Sequence, residues 1–340
     1  MPLIDLPLEQ LESYRTRTEP PADFDAFWAD ALADARRRKQ PAAFERYGKH
    51  YGPLTVDDVA FSGADGDPIR AWFVRPAGTG GGPLPCVVRF VGYGGGRSLP
   101  VDHTLYAACG LSTFVMDSRA QGGTWSIGAT GDPGAATSGA EHPGVLTRGI
   151  LDPQTYYYRR LYLDAARAVE TVAEHPLVDR DRIAVAGASQ GGALAIAAAA
   201  LVPHLVRLCH AEIPFLCDIR RAVDIATSPP YTELVAWLSV HAAEASTAWR
   251  TLGYFDGALL ARHVSATTAI SAGLMDEVCP PSGAFAAYNA VEAEKSIDVF
   301  RWSGHVVGAE LVERRLQQCL ELFASRGPDV RALENDIDIV

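Results

Sequence analysis

The chain is predicted to be an α/β protein: a mostly parallel, doubly wound sheet with an N-terminal helical arm and an inserted helical cap. Three observations lead there. The short apolar runs CVVRFVGY, STFVMDS, RIAVAGAS, TTAISAGL and IDVFRW each run into Gly, Ser or Asp, as strands buried on both faces do. Segments of helical period lie between them, and alternation of strand and helix places helices on both sides of a parallel sheet. One connection is far too long for that alternation and must carry an insertion.

The elements follow in chain order. Residues 1–50 form the arm, in which Phe24, Phe27, Trp28, Ala31 and Leu32 share one face of a helix over 24–38. VDDVAFSGADGDPIRAWFVRP then alternates as two strands around a Gly-Asp turn. The glycine-rich patch from Pro76 to Pro85 reads as a surface turn between strands. Over Gln154–Glu174, the residues Tyr158, Leu161, Tyr162, Ala165, Val169 and Val172 share a helical face, closed by His175-Pro176. Ser189 to Asp276 spans 87 residues, whereas the helix and strand of one βα unit need roughly 30. Amphipathic segments rich in Trp and Tyr over about 215–262 supply the cap, placed over the sheet's C-terminal edge, where open α/β sheets bind ligands. The whole of 1–340 reads as one domain.

Composition narrows the partners. The chain is 48% hydrophobic with a net charge of −11, which repels phosphate backbones and anionic lipid heads, so neither nucleic acid nor a membrane surface is expected as a partner. MPLIDLPLEQLESYRTRTEPP has neither a basic start nor an apolar core, unlike a secretion signal. The longest apolar run, Ala193 to Val202, is too short to cross a bilayer. Six cysteines without a C-x-x-C pair fit reduced thiols filling a core, and a cytoplasmic location. No motif asks for a cofactor or a metal ion.

The chemistry centres on Gly187-Ala188-Ser189-Gln190-Gly191, a G-x-S-x-G turn between an expected strand and an expected helix. Such a turn holds a serine Oγ clear of the sheet at a helix N-terminus, and its glycines remove side chains that would collide. A serine hydroxyl needs a base to take its proton and a third group to hold that base, in the chain order Ser, acid, His. Of nine histidines, His305 alone follows the acid candidate Asp276, which lies in GLMDEVCPPS just past a strand, and His305 itself sits in a Gly-flanked loop past the next one. Asp298 is the rival acid, but it falls inside a strand. The oxyanion of an ester-cleaving reaction would be held by the N–H after the nucleophile, Gln190, and by that of Tyr93 in RFVGYGGGRS. As a nucleotide-phosphate loop that turn fails G-x-G-x-x-G at its last glycine and has no Walker lysine.

Taken together, FDAFW, GYGGG, DSRAQGG, GASQGG, GLMDEVCPPS and the late histidine resemble the acetyl xylan esterase and cephalosporin C deacetylase group of α/β-hydrolases (carbohydrate esterase family 7), over nearly the whole chain. The resemblance implies an α/β-hydrolase fold and a serine esterase removing acetyl groups from O-acetylated sugars, such as xylooligosaccharides, or from cephalosporin C. It also implies a homo-oligomer, specifically a hexamer. The family pattern is altered at three places, with Val91 for His, Ala120 for Gly and Val306 for Glu, none of which removes a triad member. Arg119, in the altered loop, is expected to tie turns together rather than to react. The bulky cap residues Tyr231, Trp237, Trp249 and Tyr254, with Tyr93, are expected to crowd the acyl group. Peptidases share this triad order but mostly add a propeller domain, dienelactone-type hydrolases replace the serine with cysteine, and non-catalytic receptors on this fold commonly lose a triad member.

Overall fold

In a computed structural model that describes residues 3–78, 82–133, 144–324 and the backbone of 337–339, the arm opens with α1 (Leu8–Leu11) and α2 (Phe24–Arg37). The stripe read from the sequence is what α2 buries, with Ala35 added, and Trp28 Nε1 donates to the Tyr254 carbonyl in the cap at 3.0 Å. The arm is not wholly helical. Strand β1 (Ala43–Arg46) pairs antiparallel with β2 (Leu54–Ser62) at the sheet edge, and its exposed side chains leave no apolar alternation to read. β2 and β3 (Pro68–Pro76) form the expected hairpin, turning through Gly66 at φ +84°.

Next come β4 (Leu84–Phe90), α3 (Leu105–Ala108), β5 (Ser112–Met116), α4 (Tyr157–Ala173), β6 (Val178–Ala188), α5 (Gln190–Leu201) and β7 (Val206–Glu212). The glycine-rich patch lies between β3 and β4 as expected, with 79–81 outside the described residues. β7 was not legible because its run is broken by charged and polar side chains. His210 and Glu212 are nonetheless buried, Glu212 bonding Arg315 at 2.6 Å. β7 therefore accounts for part of the long span after Ser189, and the insertion sits between β7 and the next strand. It holds α6 (Ile219–Ile225), α7 (Tyr231–Val240), α8 (Ala245–Gly253) and α9 (Gly257–Leu260).

The chain closes with β8 (Thr267–Gly273), α10 (Pro281–Ala290), β9 (Lys295–Phe300), α11 (Ala309–Ala324) and β10 (Ile337–Ile339). The sheet order is β1-β2-β3-β5-β4-β6-β7-β8-β9-β10, antiparallel from β1 to β5 and parallel from there on. The order reverses around β4, and ligands gather at such a switch point.

Arm and cap are strapped together. Tyr14 and Thr16 donate to the Asp218 carboxylate at 2.7 and 2.9 Å, Tyr254 donates to Asp23 at 2.6 Å, and Arg221 pairs with Asp5. Inside this seam the Asp256 carboxylate accepts from the N–H groups of Asp218, Ile219 and Ala258. Burial, the largest effect on it, still pushes its pKa up to about 7. Of the cysteines, Cys109 is exposed and the other five are buried, all as free thiols. No helix among the described residues is long and apolar enough to cross a membrane.

Candidate active site

Ser189 sits between β6 and α5 with φ 57° and ψ −121°, a left-handed conformation that costs a non-glycine residue on the order of 1–3 kcal/mol. Its neighbours make the turn possible. A Cβ on Gly187 would lie 2.4 Å from the backbone of Gly191, and one on Gly191 would lie 2.4 Å from the Phe90 carbonyl oxygen. Ser189 N–H donates to the Glu212 carbonyl at 2.9 Å, and the Ser189 carbonyl accepts from Phe215 at 3.0 Å. The strained residue is thus held by β7 and by the start of the cap.

Asp276 and His305 are brought together by the loops after β8 and β9. Leu274 N–H donates to the Phe300 carbonyl and Met275 N–H to that of Ser303, both at 3.0 Å, and Gly273 allows the approach, since a Cβ there would meet the Ser303 and Gly304 carbonyls at 2.6 Å. Asp276 is fully buried. Its Oδ1 accepts from the N–H groups of Val278 and Cys279, each at 2.8 Å, and its Oδ2 lies 2.8 Å from His305 Nδ1. An ionised carboxylate only accepts, so Nδ1 carries a proton, and it is Nε2 that is bare in the neutral ring, the arrangement a base requires. The rival Asp298 is instead paired with Arg314 and Arg315.

Ser189 and His305 line one cavity of about 970 Å³. Ser189 Oγ does not bond to the His305 ring in this structure; its side-chain partner is Cys279 Sγ at 3.9 Å. Burial holds the Cys279 thiol well above its ordinary pKa, so it stays protonated beside Ser189. Catalytic hydrogen bonds of this kind often form only once substrate is bound.

The turn that follows Tyr93 and the side chain of Gln190 are joined by Gln121, which sequence reading did not single out. Gln121 Oε1 accepts from Gly94 N–H at 2.7 Å, and its Nε2 donates to Gln190 Oε1 at 2.9 Å. Gln190 Nε2 in turn donates to the Val91 carbonyl at 3.2 Å. Tyr93 is fixed at both ends. Trp125 Nε1 donates to its carbonyl at 2.8 Å, and its hydroxyl donates to Glu233 of α7 at 2.7 Å while accepting from Val145 N–H at 2.8 Å. Desolvation raises the Tyr93 phenol far above its usual value, keeping it a donor. Among the described residues, neither the Tyr93 N–H nor the Gln190 N–H, which opens α5, meets a protein acceptor. Gln121 lies within the DSRAQGG motif, whereas nothing in the sequence around Glu233 marks it.

Arg119 is structural, as expected: fully buried, it bonds Asp164 at 2.6 Å, Asp132 at 2.9 Å and Asp67 at 3.3 Å. The expectation for the cap aromatics is corrected. Tyr231 packs on Phe215 and accepts from Leu216 N–H, Trp237 stacks on His241, and Tyr254 turns to the arm. Trp249 faces a separate cavity of about 840 Å³ between arm and cap. None lines the cavity of Ser189; Tyr93, Trp125, Ile213, Pro229, Pro230 and Val278 do. The helical cap turns its large aromatics into its own core or toward the arm, and presents a proline corner to the cavity of Ser189. Among the described residues no cluster of three His, Cys, Asp or Glu is placed to hold a metal ion.

Comparison with known proteins places the chain in a family. Residues 1–322 match the family described as acetyl xylan esterase (AXE1). The chain is similar to the acetyl esterase Axe7A of Xylanibacter ruminicola, at 26% identity over 84% of this chain, and it spans 63% of that relative's length. Among solved structures, an acetyl xylan esterase from Paenibacillus sp. R4 superposes with a TM-score of 0.87 at 37% identity, over 93% of this chain and 99% of that one. Acetyl xylan esterase 1 from Thermoanaerobacterium sp. JW/SL YS485 also gives 0.87, at 33% identity, over 94% and 99%.

Proposed function

The chain belongs to the acetyl xylan esterase family, a family of carboxylic ester hydrolases, and from that premise we propose that it removes acetyl groups from O-acetylated sugars through an acetyl-enzyme on Ser189. The observation that carries the reading is the Asp276–His305 hydrogen bond, which leaves Nε2 bare in the cavity that Ser189 lines. Ser189 Oγ attacks the acetyl carbonyl carbon as its proton passes to His305 Nε2. The oxyanion accepts from the Tyr93 and Gln190 N–H groups, the latter helped by the positive end of α5. The sugar oxygen leaves with the proton from His305, water is then deprotonated by His305 to attack the acetyl-enzyme, and acetate departs.

Tyr93, Ile213, Val278 and the Pro229–Pro230 corner line the cavity with Ser189, and their bulk is the basis for expecting acetyl to be favoured over longer chains. The leaving alcohol faces the open side, which is the basis for including cephalosporin C among the substrates. The test is a panel of acetylated xylooligosaccharides, aryl esters of increasing chain length, cephalosporin C and a peptide amide, run against wild type and Ser189→Ala. Acetyl esters should outrun butyryl esters by at least about tenfold in kcat/KM, and Ser189→Ala should retain no more than a trace of activity at equal folded fraction. Faster cleavage of octanoyl esters, or of the peptide amide, overturns the assignment.

A further inference from the structure

Trp125 is 62% exposed, although removing an indole from water is among the larger gains a side chain can offer a fold. It is nonetheless held in place. Its Nε1 donates to the Tyr93 carbonyl at 2.8 Å, and its six-membered ring lies against Gly95, where a Cβ would come within 2.3 Å of the ring. Glycine at 95 therefore serves as a seat for the indole: any side chain there would lift the ring off the turn. The ring borders the cavity that contains Ser189 and His305. The lining of the same cavity also includes Asp102, an exposed residue whose carboxylate accepts from the Ser98 hydroxyl at 2.6 Å.

A fixed, exposed aromatic face in one cavity with a carboxylate suits one ligand chemistry well. The C–H face of a pyranose covers the indole while the ring's hydroxyls donate to the carboxylate, giving an apolar contact and a polar one on the same sugar. We propose that Trp125 is the platform on which the sugar ring of the leaving alcohol stacks, with Asp102 accepting from its hydroxyls. The inference rests on the deacetylase reading above and adds a sugar subsite to it. The indole does not enter the chemistry; it positions the ester over Ser189.

The test uses ethyl acetate, which carries no ring, as the assayed ester, and unacetylated xylobiose as inhibitor. Xylobiose should inhibit wild type competitively. Trp125→Leu, which removes both the flat face and the N–H, should weaken that inhibition about tenfold. Trp125→Phe, which keeps a flat face but loses the N–H, should restore the inhibition constant to within about threefold of wild type. Any loss of kcat from freeing the Tyr93 carbonyl is common to both variants, so their ratio isolates the stacking. Absence of inhibition by xylobiose, or equal inhibition of wild type and Trp125→Leu, overturns the proposal. So does a change of oligomeric mass by light scattering in Trp125→Leu with the inhibition constant unmoved, which would make the indole a contact between copies. Failure of the deacetylase reading shows differently, as cleavage of ethyl acetate without acetate release from acetylated xylobiose.

Discussion

Replacing Asp276 with asparagine separates what the carboxylate does for the fold from what it does for the base. Oδ1 accepts two backbone N–H groups, from Val278 and Cys279, at 2.8 Å each. An asparagine that put its NH2 group there would set donors against donors and leave two buried hydrogen bonds unmade, at about 1–3 kcal/mol each. The amide oxygen therefore takes the Oδ1 place and the NH2 group faces His305 Nδ1. A donor there forces Nδ1 to accept and moves the imidazole proton to Nε2, the nitrogen that receives the Ser189 proton in the proposed mechanism. The wrong tautomer costs about 10,000-fold in kcat in sites built this way, which is about 5 kcal/mol of transition-state stabilisation. Because both backbone bonds survive, the melting temperature should move by only a few degrees. The assay is the initial rate on an acetyl ester at equal folded fraction, with nitrogen chemical shifts of the His305 ring reporting the tautomer. Activity within tenfold of wild type refutes the reasoning. A comparable loss in Asp298→Asn, whose carboxylate faces Arg314 and Arg315 instead, would refute it as well.

Three further outcomes are expected. Glu233→Ala removes the acceptor of the Tyr93 hydroxyl and should lower kcat about tenfold with little change in KM; Tyr93→Phe should do the same, and the double variant should lose no more than either, as a double-mutant cycle would read. Ala120 is exposed and sits at φ 56°, so Ala120→Gly should raise stability in denaturant titrations by about 1 kcal/mol through relief of the left-handed penalty. Asp256 keeps its proton up to about pH 7 in the fold but releases it near the ordinary carboxylate range when unfolded, so its stabilising effect is complete below that range and is lost as pH rises through about 7. The stability of wild type relative to Asp256→Asn should accordingly fall by about 4 kcal/mol between acid and slightly alkaline solution; a pH-independent difference would show that the carboxyl is ionised throughout.

Legible in the sequence alone are the α/β class, the hairpin, most of the parallel strands and the chain order of Ser189, Asp276 and His305. Those are local or ordinal properties: apolar runs bounded by Gly, Ser or Asp, the glycines that a strained turn requires, and a fixed succession of loops at one sheet edge. The sequence did not disclose β7, whose His210 and Glu212 break the apolar run although both are buried; Glu212 is tolerated inside because Arg315, far along the chain, meets it. Nor did it disclose which cap aromatics face the site. Trp249 and Tyr254 look like pocket walls in one dimension, and turn to the arm because Asp23 and the seam around Asp218 are there to receive them. The links from Gln121 to Gln190, from Glu233 to Tyr93 and from Trp125 to the Tyr93 carbonyl were equally out of reach. Each joins residues from distant parts of the chain through one hydrogen bond, and a hydrogen bond depends on distance and direction, which only the folded backbone supplies.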